Sequence, residues 1–156
     1  MKVRAYEARD ADGVAQIFLN SVRGVGPAHY SAEQVAAWAS KAPDAAAVQA
    51  RASDGRLMLV AADGADQPVA FIDLEPDGHI DLLYCAPEVA GTGVAARLYD
   101  AVESAARSGG MVRLHSEASE AALRFFTKRG FVTLRRRDLK IGEVAIHNYA
   151  VEKPLD

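Results

Sequence analysis

The stretch from Ile80 to Leu98, IDLLYCAPEVAGTGVAARL, constrains this chain more than any other. It reads as an apolar strand, a proline, a loop of small residues and a helix, with Gly91-Thr92-Gly93 at the loop-to-helix junction. A helix start leaves backbone N–H groups without intrahelical partners, and together with the helix dipole these attract anions. Glycine has no Cβ, so a phosphate can approach its backbone closely. A chain folded around this stretch presents an anion site near its middle, sized for a phosphate or pyrophosphate.

Two ligand classes fit such a turn. Gly91-x-Gly93-x-x-Ala96 matches the dinucleotide fingerprint, which needs a strand before it and a helix after it. The wider context opposes that reading. The fingerprint opens a run of βαβ units, whereas about half the chain precedes this turn and no run of crossovers follows it. Glu117, the available ribose-binding acid, comes later than the usual spacing of about 20 residues.

The other class rests on a resemblance. Tyr84 to Ala95, YCAPEVAGTGVA, resembles the acetyl-CoA motif of the Gcn5-related N-acetyltransferases, V-x-P-x-x-Q/R-G-x-G-I/V-G/A. Downstream, Ser119 to Phe131, SEAALRFFTKRGF, is similar to the family segment N-x-x-A-x-x-F-Y-x-x-x-G-F. The order and separation of the two segments agree, and the resemblance covers essentially the whole chain, 1–156, as one domain. It implies an acyl-CoA N-acyltransferase fold and direct transfer of an acetyl group from acetyl-CoA to an amine acceptor, a small metabolite or a peptide or protein amine. It also implies that two neighbouring parallel strands splay to hold the pantetheine. By position these are His79–Cys85 and Met111–Ser116. The backbone of Leu83, Tyr84 and Cys85 would then pair with the pantetheine amides, and an N–H at Leu83 or Tyr84 would polarise the thioester oxygen. Backbone N–H groups of Ala90, Gly91, Thr92, Gly93, Val94 and Ala95 would hold the pyrophosphate.

The chain departs from the family pattern at three positions. Ala90 replaces Gln or Arg, which removes a side-chain contact to phosphate. Ser119 replaces Asn and still offers a hydroxyl to the CoA arm. Phe126 stands where the family carries its acidic tyrosine, beside the cofactor, and cannot donate a proton to the leaving thiolate. Tyr84 and Tyr149 are the replacement candidates. These departures also leave room for a second reading, a non-catalytic acyl-CoA-binding sensor of the same fold.

An amine acceptor arrives as ammonium and must lose a proton, for which a carboxylate is the natural base. Asp81, on the strand that leads into the anion loop, is the first candidate and Asp73 the second. Each sits in an apolar run where an unpaired carboxylate is costly. The single cysteine, Cys85, has no adjacent histidine to activate it and reads as a small packed residue. His29 to Trp38 resembles a stretch found in a subset of small bacterial acetyltransferases, which makes His29, Tyr30 and Trp38 candidate acceptor contacts. His79, His115 and His147 show no metal-ligand spacing, so no metal is expected.

Turn and periodicity signals give the order β-α-α-(α)-β-β-β-α-β-α-β-β. This is an α/β, three-layer arrangement, with a mixed, mostly antiparallel central sheet of about seven strands and helices on both faces. The helix following Gly93 should carry Leu98, Val102 and Ala105 inward, and a closing hairpin should turn at Gly142. Ser31 should cap the second helix, with Glu33 falling just short of a capping box. A net charge of −3 speaks against a general nucleic-acid binder, so Arg135-Arg136-Arg137 reads as a solvated strand end. No segment reads as a leader or a membrane span, so a cytoplasmic chain is expected, with a homodimer possible through strands or the last hairpin.

Overall fold

The computed structural model describes residues 1–156. Strand β1 (Lys2–Ala5) leads into α1 (Ala11–Val25), α2 (Ala32–Ala39) and α3 (Ala45–Ala52), then the strands β2 (Leu57–Ala62) and β3 (Pro68–Leu74). The expected strand His79–Cys85 is broken into β4 (His79–Ile80) and β5 (Leu83–Cys85). Next come α4 (Val94–Ser108), β6 (Arg113–Ala118), α5 (Leu123–Lys128) and the long hairpin β7 (Val132–Ile141) and β8 (Val144–Pro154). Two four-stranded sheets result, ordered β1-β2-β3-β5 and β4-β6-β8-β7. With β4 and β5 counted as one interrupted strand, this is the expected seven-stranded, mostly antiparallel arrangement. The single parallel pair is β4 with β6, which leaves no run of βαβ units for a dinucleotide fold.

Helices cover both faces. Along α1, Val14, Ile17, Phe18 and Val22 are buried, the spacing of one helical face. They pack with Val48 of α3 and with Met58, Val60 and Phe71 of the sheet. On the opposite face, Val94, Leu98, Tyr99, Val102 and Ala106 of α4 pack against Ala61, Ala70, Ile72 and Leu114. Ala106 takes the buried position expected of Ala105, which is exposed, because the inward stripe follows i, i+4, i+8 from Leu98. Ser31 does cap α2, and the box is complete: Gln34 N–H donates to Ser31 Oγ at 3.1 Å, and Ser31 N–H to Gln34 Oε1 at 2.9 Å. Gln34, at the third helical position, does what Glu33 at the second cannot.

The break between β4 and β5 has a local cause. Asp73, fully buried in β3, points its carboxylate at the break. Its Oδ1 accepts the backbone N–H of both Asp81 and Leu82, each at 2.9 Å. Two amides that a continuous strand would pair with a neighbour are thereby satisfied by one side chain. Arg56 Nη1 donates to Asp73 Oδ2 at 2.8 Å, which balances the buried charge. The chain is free to leave β6 after Ile80 and to join β3 at Leu83.

Candidate active site

Because β4 stays with β6 for two residues and β5 goes with β3, the two sheets splay, and the open edges of β5 and β6 line a cavity of about 250 Å³. Leu83 and Tyr84 stand on one wall, and Ser116, Glu117 and Ala118 on the other. Ser119, Ala122, Phe126, Tyr30, Trp38, Leu139, Ile141 and Ile146 complete the lining. The splay expected between the two parallel strands is present. Strand β6 begins and ends two residues later than expected, and this brings Glu117 into the wall.

Backbone direction in β5 follows from its ladder with β3. Asp73 N–H donates to Leu82 O at 3.1 Å and Ala86 N–H to Val69 O at 2.8 Å. The two-residue alternation of an antiparallel ladder then pairs Tyr84 with Phe71 and turns the backbone groups of Leu83 and Cys85 toward the cleft. Of the expected backbone contacts, Leu83 and Cys85 are thus available, whereas Tyr84 spends its own N–H inside the sheet.

The loop after β5 offers fewer free amides than expected. Ala90 N–H donates to Pro87 O at 3.2 Å and Thr92 N–H to Val89 O at 3.3 Å, so neither is free for a ligand. Gly91, Gly93, Val94 and Ala95 have no acceptor within the protein, and the first intrahelical bond runs from Arg97 N–H to Gly93 O at 3.2 Å. Gly91 and Gly93 take φ of 77° and 86°, the left-handed region, and a Cβ on either would meet only open space. Glycine is needed here for backbone conformation and not for packing. A second hollow joins this loop and Cys85 to α5, where Arg124, Lys128 and Arg129 face it. These cations place positive charge beside the loop.

The cavity carries two carboxylates in different surroundings. Asp81, the first candidate base, lines it but is ion-paired to Arg51, and Arg56 Nη1 lies 3.5 Å from its Oδ2. Glu117 shares its Oε1 with His79 Nε2 at 2.8 Å, while His79 Nδ1 meets Glu75 Oε1 at 2.7 Å. The hydrogen bond to Glu117 and a second one to Glu75 raise the His79 imidazole to about 9. The His79 contact in turn holds Glu117 below the ordinary carboxylate range. Asp73, the second candidate, is buried behind the wall, where burial pushes its carboxyl up and the Leu82 amide and Arg56 pull it down. Its oxygens are already bonded to the backbone and to Arg56, so it does not reach the cavity.

The tyrosines divide. Tyr84 lines the cavity, but its ring is wedged between Phe18, with centroids 4.4 Å apart, and Phe71, at 5.9 Å. Burial holds its hydroxyl far above the ordinary tyrosine range, and the Trp38 ring lies 6.2 Å away between centroids. Tyr149 lies outside the cavity lining, and the nearby Glu120 carboxylate raises its hydroxyl. Phe126 is 2 % exposed and packs edge-on to Phe131, with centroids 4.9 Å apart. Burial pushes the Cys85 thiol up to about 11, so it stays protonated.

Tyr30 and Trp38 both line the cavity, with centroids 5.6 Å apart in an edge contact. The Tyr30 hydroxyl donates to His147 O at 3.1 Å and accepts Glu120 N–H at 2.9 Å, tying the turn before α2 to the hairpin and to the loop between β6 and α5. His29 is exposed and does not line the cavity. Glu117, Arg137 and His147 do line it, and sequence reasoning assigned none of them to an acceptor site. Arg137 escapes the solvated-run reading because β7 alternates, which sends every second residue of Arg135-Arg136-Arg137 to the opposite face.

Residues 27–152 match the acetyltransferase (GNAT) domain family. The chain is 27% identical over 137 residues to an uncharacterized N-acetyltransferase of Escherichia coli K12, across 88% of this chain and 85% of that protein. It superposes with a TM-score of 0.90 on a GCN5-related N-acetyltransferase from Rhodopseudomonas palustris, at 38% identity over 99% of this chain and 95% of that one. A phosphinothricin acetyltransferase of Sinorhizobium meliloti, solved in complex with acetyl-CoA, shares the fold with a TM-score of 0.78 at 17% identity, over 99% of this chain and 88% of that one. The splayed strands, the glycine turn and this match over most of the chain agree, and the chain belongs to the GNAT family of acetyltransferases.

Proposed function

We propose that the protein transfers acetyl directly from acetyl-CoA to the amine of a small metabolite or peptide bound in the splayed cleft. The observation that carries this reading is that two hollows adjoin along β5 and α5: one with free amides and cations, lined by Cys85, Ala121 and Phe125, and a carboxylate-lined, partly aromatic one, lined by Tyr84, Ala122 and Phe126. The pyrophosphate would lie on the N–H groups of Gly91, Gly93, Val94 and Ala95, with Arg124 and Lys128 beside it. The pantetheine would add as a strand to the edge of β5. The Leu83 N–H, turned to the cleft, would stabilise the oxyanion of the tetrahedral intermediate.

Glu117 is the better base of the two cavity carboxylates. Asp81 is neutralised by two guanidinium groups, whereas Glu117 bonds an imidazole that can pass a proton onward. The acceptor ammonium would give its proton to Glu117, and the chain Glu117–His79–Glu75 leads from the cavity wall to a partly exposed carboxylate. The free amine attacks the thioester carbonyl, collapse of the intermediate expels CoA thiolate, and the second nitrogen proton passes to solvent or to that thiolate to leave the neutral amide. No side-chain acid is required for the expulsion. A thiol near 8.5 leaves readily as thiolate, and the Tyr84 hydroxyl lies too far above it to be an effective donor. A sensor would need no carboxylate in the chamber, and the presence of two favours catalysis.

The test is to incubate the protein with acetyl-CoA and a panel of amines, and to follow thiol release together with acceptor mass. Transfer to an amine that stops on Glu117→Gln supports the reading. Binding of acetyl-CoA with no transfer to any amine would point to the sensor.

A further inference from the structure

At the root of the cleft the fold sets a second imidazole, His115, which the proposed acetyl transfer does not use, beside His79 and Glu117. In the parallel pair β4–β6, His79 stands opposite His115, and their rings stack with centroids 5.0 Å apart and 23° between planes. Glu117 follows His115 by two residues and so shares its face of β6. One donor atom from each of His79, His115 and Glu117 lies within 4.8 Å of the other two. The frame beneath them is rigid. His115 N–H donates to Gly78 O at 3.0 Å, and a Cβ on Gly78 would stand 2.2 Å from Arg113 O. The turn is thereby pressed against β6.

We propose that His79, His115 and Glu117 form a binding site for a divalent transition-metal ion of the zinc type. Two imidazoles and a carboxylate are a borderline donor set, suited to zinc, cobalt or nickel and poorly suited to calcium or magnesium. Zinc takes such donors at about 2.0–2.2 Å, and the side chains, 18–33% exposed, have room to draw in by that much. The surroundings also match those of a metal ligand. Glu75 Oε1 lies 2.7 Å from His79 Nδ1, the outer carboxylate that orients an imidazole and leaves Nε2 to bind metal. Asp77 Oδ2 lies 3.7 Å from His115 on the open side. Three protein ligands leave a fourth position for water or an acceptor group, on the side where Glu117 lines the cavity. A metal held there occupies the Glu117 carboxylate and competes with its use as a base. The site itself does not depend on that catalytic role.

Calorimetric titration of tag-free, chelator-stripped protein with zinc chloride tests this, with cobalt(II) absorption as the report on coordination. The expected result is one zinc per chain, weakened by more than about tenfold in His115→Ala and by about 10- to 100-fold in Glu75→Gln. His115→Ala should keep its acetyl-CoA affinity, which shows that the fold is intact. Absence of saturable zinc binding in the unmodified protein overturns the proposal. So does equal zinc affinity in His115→Ala, which would place the ion elsewhere, at His29 or His147.

Discussion

Two carboxylates in contact with charged partners are chemically different when the partners differ. Asp81 faces two arginines, which are fixed cations, and Glu117 faces a single histidine, whose other ring nitrogen meets Glu75 and so gives a proton a way on. Replacing Glu117 by Gln should lower kcat by about 10²- to 10⁴-fold, the usual worth of a general base, while the KM for acetyl-CoA holds. Asp81→Asn should leave kcat within about tenfold of the parent and show itself instead as a lower unfolding midpoint, because Arg51 and Arg56 lose a partner. The reverse pattern in steady-state kinetics would restore Asp81 as the base. Gly91→Val and Gly93→Val should each weaken CoA binding by tenfold or more on calorimetry, at a folding cost of about 1–2 kcal/mol for a β-branched residue held at positive φ. The Ala90 amide is already used by Pro87, so a Gly there should change CoA affinity little.

Among the elements, the interrupted strand β4–β5 decides the most. Its break exists because a buried carboxylate on β3 accepts two consecutive amides, and Arg56 makes that carboxylate tolerable. Asp73→Ala strands both amides and a largely buried guanidinium. It should cost about 3–5 kcal/mol, the range for breaking a buried pair, read as a fall in the urea midpoint with loss of acetyl-CoA binding. Asp73→Asn, which keeps one oxygen for the amides, should fall between. The hairpin strand β7 shows a different device. It is the edge of its sheet and exposes Val132 and Leu134, but a bulge between Thr133 and Arg135, with a run of arginines after it, interrupts the flat edge. Such features discourage further strand pairing.

At the scale of the whole molecule, two cores on opposite faces of the sheets hold the cleft open between them, and the Glu75–His79–Glu117 chain crosses its root. His79 is held at about 9 in the folded protein and reverts to 6.5 in the unfolded chain. A base raised in this way contributes stability that is complete below pH 6.5 and is lost as the pH rises through 9. The unfolding free energy should therefore decline across that window, by at most ~1.4 kcal/mol per pH unit. Urea titrations of the parent and of His79→Gln at several pH values check this. The decline should flatten in the variant.

What the amino-acid sequence determined by itself is everything that local rules govern: the strand–turn–helix at Gly91 and Gly93, the inward face of α1, the Ser31 cap, the stop after α5 and the closing hairpin at Gly142. These depend on residues a few positions apart, and the two family segments placed the chain in its fold. Cross-strand relations were decided only by the tertiary structure. Nothing near Asp73 in the sequence says that its carboxylate will meet amides at 81 and 82, and without that meeting His79–Cys85 reads as one strand. Nothing at His115 says that it will stack on His79, because the parallel register that joins them is set by a crossover through α4. Glu117 joined the cavity wall when β6 started two residues later than its apolar pattern suggested. Register is fixed by the summed packing of two cores, a long-range quantity that local periodicity does not contain, and the catalytic and metal-binding proposals both rest on it.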